Sequence, residues 1–162
     1  MEAPARNKIS PVVARASALR REGRLDEAIA GLREALVGSP RSVEIHVLLG
    51  AYLADRGDHS EAAELLERAR AAVPASMTAP IDAGLAACYD VLGRHDEAMA
   101  ACRRALAVDP SRVSAALLLG AILADTGHVD EAAAIYGSLI ESASDELRAQ
   151  IRAVLAEWRA PG

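Results

Sequence analysis

The chain has 162 residues, 52% of them hydrophobic but only 2% aromatic and none Phe, and its formal charge is −5. That length gives room for one domain with a sizeable core, and a core so poor in rings must be filled by Leu, Ile, Val and above all Ala, the best helix former. An all-α fold is expected, and an acidic body argues against nucleic acid, whose phosphates need a positive surface.

Charge is uneven from the start. Residues 1–24 carry six bases, Arg6, Lys8, Arg15, Arg20, Arg21 and Arg24, against Glu2 and Glu22, so this segment is +4 and the remainder −9. The basic front end is either a solvated face or a place for an acidic peptide. The opening "MEAPARNKIS" lacks the apolar core of a signal peptide, and no apolar run approaches the roughly 20 residues of a membrane span. A soluble, cytoplasmic protein without a membrane partner is expected. Cys88 and Cys102 have no metal-type spacing and are read as buried thiols in a reducing compartment.

The phrase "GRLDEAIA" at residues 23–30 returns as "GDHSEAAE" from Gly57, "GRHDEAMA" from Gly93 and "GHVDEAAA" from Gly127, at steps of 34, 36 and 34. Ala28, Ala62, Ala98 and Ala132 keep step with the glycines, as do Leu32, Leu66, Cys102 and Tyr136. So do Ala35, Ala69, Ala105 and Leu139, and then Pro40, Pro74 and Pro110, with Ser144 in the last copy. Such a period marks a repeat architecture. Each unit is predicted to be two antiparallel helices, in units of about 9–42, 43–76, 79–112 and 113–144, all within a single domain 1–162. In the second, Val43, Val47, Leu48, Leu49 and Leu53 fall at helical spacing before Gly57 ends the first helix. Asp26, Ser60, Asp96 and Asp130 are the expected N-caps of the second helices, each followed by a Glu that suits the helix dipole. Proline then closes the first three units. The stretch "VPASMTAP" holds two extra residues, either a longer loop or a hinge between halves. Beyond it, Leu147, Ile151, Val154, Leu155 and Trp158 form one stripe after Ser144, a helix over about 145–159 that would cover the open end of the stack.

Residues at these spacings resemble the tetratricopeptide repeat family. "LLGAYLADRGDHSEAAELLERARAAVP" and "LLGAILADTGHVDEAAAIYGSLI" match its pattern strongly, and "GLAACYDVLGRHDEAMAACRRALAVDP" nearly as well. The first copy has Arg15 and Ala16 where Leu-Gly is usual, and the aromatic that begins the first helix is replaced throughout by Val12, His46, Asp82 and Ala116. The resemblance implies a right-handed α-solenoid of four stacked hairpins plus a capping helix.

Chemistry is hard to find in these residues. His59 and His95 share a turn slot and His128 lies one place earlier, a repeat apart and too far to share an ion, while His46 is a core or groove histidine. No Gly-rich phosphate loop is present, and Cys88 has no histidine at a nucleophile's spacing. No enzyme activity, metal or cofactor is expected.

In this family the first helices line a concave groove that commonly holds a peptide or helix of another protein. Carried over by position, that groove would comprise Val13, Ser17, Arg20 and Arg21 in the first unit and Glu44, Val47, Leu48, Ala51 and Asp55 in the second. The third contributes Ala83, Ala87 and Asp90, and the fourth Leu117, Leu118, Ala121 and Asp125. The competing reading is that several of these residues pack between helices and only the polar ones face water. No Lys or Asn stands among them, which argues against the carboxylate clamp of some family members. The expected function is a non-catalytic adaptor binding a partner's peptide or amphipathic helix. The alternatives are a homo-oligomeric scaffold anchored through Trp158, and a secretion chaperone.

Overall fold

Helices follow the repeat closely. The computed structural model describes residues 6–141 and 143–159, so the amino-terminal "MEAPA" and the side chains of Arg6 and Lys8 in the basic front end lie outside the described part. The order is α1 (Arg6–Arg21), α2 (Leu25–Gly38), α3 (Val43–Arg56), α4 (His59–Ala71), a 3-10 turn (Ala75–Met77), α5 (Ala79–Val91), α6 (His95–Val108), α7 (Val113–Asp125), α8 (Val129–Ile140) and α9 (Asp145–Arg159). Among the described residues there is no strand. Each helix packs on the next, and α1, α3, α5 and α7 also touch one another in turn. The result is an all-α solenoid whose first helices run side by side.

The repeated glycine has one job. Gly23, Gly57, Gly93 and Gly127 all have positive φ, between 72° and 103°, which only glycine adopts cheaply. In every unit the glycine N–H bonds three residues back (Gly57 to the Ala54 carbonyl). The next N–H bonds five back: Arg24 to Leu19, Asp58 to Leu53, Arg94 to Tyr89 and His128 to Leu123. This is the Schellman closure of a helix. The carbonyl of that same residue then accepts the first bond of the following helix, from Ala28, Ala62, Ala98 or Ala132. One residue therefore ends the first helix and starts the second.

That joint overturns the expected N-caps. The cap positions are Arg24, Asp58, Arg94 and His128, and none makes a side-chain cap bond. Asp26, Ser60, Asp96 and Asp130 lie one residue inside the first turn, where a side chain no longer reaches a free N–H ahead of it. Their acids and the following glutamates act on the helix dipole instead. Ser144 does behave as a cap, accepting from the Leu147 N–H at 3.4 Å.

Alanine sets the distance between paired helices. Ala28, Ala62, Ala98 and Ala132 are each 0% exposed, and Leu32, Leu66, Cys102 and Tyr136 are buried beside them. Glycine on the facing helix makes room for the larger of these. A Cβ on Gly50 would sit 3.0 Å from Leu66 Cγ, and one on Gly120 only 2.3 Å from Tyr136 Cε1. The third unit has Ala86 and Cys102 at the matching places, a smaller side chain facing a larger one.

The two-residue insertion becomes the 3-10 turn, and the core runs past it: Leu66 and Ala69 belong to the same buried cluster as Ile81 and Leu85. The end of the stack is covered as expected. Ile151 and Leu155 of α9 bury against Ala116, Tyr136 and Leu139, with Trp158 stacked on Tyr136 at 5.4 Å between ring centroids.

Candidate partner-binding face

The side formed by α1, α3, α5 and α7 carries all sixteen residues expected in the groove, and each of them is half-buried or exposed. Helical periodicity puts them there: the buried stripe of α3 is Ile45, His46, Leu49, Gly50, Tyr52 and Leu53, which leaves Glu44, Val47, Leu48, Ala51 and Asp55 on the opposite face. In α7 the buried Ala115, Ala116, Leu119, Gly120, Ile122 and Leu123 leave Leu117, Leu118, Ala121 and Asp125 outside in the same way. Val47, Leu48 and Leu118 still lean on the core from their half-exposed positions, so the face is apolar without being loose.

Its charges are not arranged as a simple basic end and acidic end. Arg20 spans to Asp55 at 2.6 Å and lies over the Tyr52 ring, 5.3 Å from its centroid. Tyr52 in turn donates to Ser17 Oγ at 3.4 Å. Arg20 and Asp55 therefore neutralise each other across α1 and α3. Arg21 donates from Nε to the Ser17 carbonyl at 3.3 Å. Three carboxylates remain: Asp90, which has the His95 ring at 3.4 Å, and Glu44 and Asp125, which have no ion pair among the described residues.

The other side is different. Arg33 of α2 reaches Glu61 of α4 at 2.6 Å, and Arg103 of α6 reaches Glu131 of α8 at 3.0 Å, so neighbouring second helices are tied by the same exposed pair twice. Such pairs contribute little stability, but they bring opposite charges together across neighbouring second helices.

Burial pushes the Cys88 thiol up, and burial with the nearby Asp90 pushes Cys102 up to about 11, which favours the protonated thiol over the thiolate at both. Among the described residues no three His, Cys, Asp or Glu side chains are grouped to hold a metal ion. His46 is a core residue: it is 6% exposed, and its Nδ1 lies 2.7 Å from the Ser42 carbonyl. No helix among the described residues is long and apolar enough to cross a membrane.

Tetratricopeptide repeat models match residues 13–76, 53–104 and 92–157, nearly the whole chain. The chain belongs to the tetratricopeptide repeat family. No curated protein matches it in sequence. Among solved structures, this tetratricopeptide repeat protein is similar to the crystal structure of MamA, at 25% identity over 78% of this chain and 72% of that one, with a TM-score of 0.73. It is similar to MamA 41-end from Desulfovibrio magneticus RS-1 at 23% identity over 82% and 73%, TM-score 0.76. It is also similar to YrrB, described as a TPR protein with an unusual peptide-binding site, at 21% identity over 81% and 66%, TM-score 0.70.

Sequence reasoning missed two features of this repeat array. The Arg20–Tyr52–Asp55 contact joins residues 32 and 35 apart and shows only once adjacent units are stacked. Asp82 is 1% exposed and bonded to Arg104 Nε at 2.8 Å, although as the aspartate in the place of the family's aromatic it was visible in the sequence.

Proposed function

We propose that this protein is a non-catalytic adaptor whose first-helix face holds a peptide or amphipathic helix of a partner protein. Its repeat architecture is that of a protein-interaction module. The observation that carries the finer reading is the row of half-exposed apolar side chains and carboxylates along the first helices. Val47, Leu48, Leu117 and Leu118 are half-exposed there beside Asp90 and Asp125. An apolar segment with a basic flank complements that set: it hides the leucines and brings cations to the two carboxylates. The fold shared with YrrB is one on which a peptide-binding site occurs, which supports the reading without fixing the peptide.

The test is affinity capture from the native cell, comparing the wild-type chain with the double variant Leu48→Glu, Leu118→Glu. Both side chains are half-exposed, so the helical circular-dichroism signal is expected to survive while capture of the specific partner falls by roughly tenfold or more, as for loss of a central apolar contact. Undiminished capture by the folded double variant overturns the groove reading.

A further inference from the structure

Two of the first helices are near copies of each other. Residues 43–57, "VEIHVLLGAYLADRG", and 113–127, "VSAALLLGAILADTG", carry Leu-Leu-Gly-Ala and Leu-Ala-Asp at the same places, and burial follows the same order along both. The partner face therefore holds one apolar floor twice, on α3 and on α7. What differs is the charge each floor receives from the first helix before it. Arg20 stands three residues ahead of its turn glycine and Asp55 two ahead of its own, and these places meet across α1 and α3. Arg20 Nε donates to Asp55 Oδ2 at 2.8 Å, and its Nη2 lies 2.6 Å from the same oxygen. The same two places are Ala54 and Val91 at the next junction, and Asp90 and Asp125 at the last. An ion pair, an apolar pair and a pair of acids follow one another along the stack.

The first junction is neutral and complete; the other two are not. At the second, Val91 is 63% exposed. At the third, Asp90 stands in the arginine's place, 33% exposed and with the His95 ring 3.4 Å from its Oδ1. Asp125 is exposed and has no ion pair among the described residues. Like charges at facing places repel, and a cation between them removes the repulsion. The Arg20–Asp55 pair shows within this chain which cation the place accepts. It is a guanidinium, whose planar fork of donors can serve two carboxylates at once. Neighbouring helices lie about 8–10 Å apart, which three residues of extended chain span at about 3.3 Å each. We propose that the face takes an extended partner segment with an apolar residue on Val91 and, three residues along, an arginine between Asp90 and Asp125. This rests on the first-helix reading of function and adds to it the occupant's charge, its spacing and the junction that holds it.

The experiment titrates the full ¹⁵N-labelled chain with acetyl-Ala-Leu-Ala-Ala-Arg-Ala-amide and with its Gln and Glu counterparts at the arginine. A fourth probe, acetyl-Ala-Ala-Ala-Leu-Arg-Ala-amide, breaks the spacing. The first probe is expected to give saturable shifts centred on α5 and α7 near Asp90 and Asp125. The other three are expected to bind about fivefold or more weakly, as for losing ion pairs or an apolar contact at a half-exposed site. Asp90→Arg, which builds the Arg20–Asp55 arrangement into the third junction, is expected to remove the arginine preference. Arg20→Asp, which builds the pair of acids into the first, is expected to add a second set of shifts on α1 and α3. Neither side chain is fully buried, so both variants are expected to keep the helical circular-dichroism signal. Equal binding of any other probe, absence of saturation, or an arginine preference that survives Asp90→Arg overturns the proposal. The two readings fail separately: capture lost in the Leu48→Glu, Leu118→Glu variant but complete with Asp90→Arg keeps the face as the binding site and overturns the arginine.

Discussion

Glycine does different work at different positions, and alanine substitution separates the roles. Gly31 lies inside α2 with nothing within 4 Å of where a Cβ would stand, so Gly31→Ala costs no space and relieves a helix of its worst ordinary residue. It is expected to stabilise the fold by about 0.5–1 kcal/mol in urea unfolding. Gly120→Ala is expected to do the opposite, by about 1–3 kcal/mol, because its Cβ meets a Tyr136 ring that cannot swing away. That ring is stacked on Trp158, and its hydroxyl donates to the Leu117 carbonyl at 3.1 Å. Cysteine gives a second prediction at this scale. In the unfolded chain the Cys102 thiol ionises near 9.0 and in the fold near 11, so between those values the folded state keeps a proton the unfolded state has lost. Stability is full below that window and falls as pH rises through it, on the order of 2 kcal/mol in all. Tyr89, which burial and its bond to Glu67 push up to about 12, extends the decline upward from its ordinary 10.0. A melting series from pH 8 to 12 reads the slope, and Cys102→Ala, whatever its baseline cost, is expected to flatten the part between 9 and 11.

At the scale of elements, α9 is the piece whose role depends most on one side chain. Its stripe of Leu147, Ile151, Val154, Leu155 and Trp158 meets the last hairpin as the sequence predicts, and Trp158 lays its ring face on Tyr136. Trp158→Ala is expected to cost about 1–3 kcal/mol by chemical denaturation followed by circular dichroism, while Val37→Ala at an 84%-exposed site changes little. Helix order, turn glycines and the covering helix were all legible because each depends on a residue recurring at a fixed step. The caps were not. Asp26, Ser60, Asp96 and Asp130 look like cap residues in isolation, yet the Schellman closure draws the second helix two residues closer to the glycine than a start capped by them allows. Only the backbone bond from Arg24 to Leu19 and its three counterparts reveals that.

For the whole molecule, the outward face of each first helix could be assigned from the repeat, since the alternation of buried and exposed positions in α3 and α7 is a matter of helical period. What the repeat cannot carry is any contact unique to one junction. Arg20 neutralises Asp55 only at the first junction, and Asp82 is buried under an inserted turn found only at the second. The proposed function rests on the shared pattern: hairpins bury their alanine stripes against one another, and the half-apolar side left over is the proposed seat of a partner. Photo-crosslinking tests this most directly, with a benzophenone amino acid placed at Ala51, Ala87 or Ala121 on the first helices and at Ala30, Ala100 or Ala134 on the second, all exposed positions. Partner adducts from the first set alone are predicted; adducts formed equally or preferentially from the second set would contradict it.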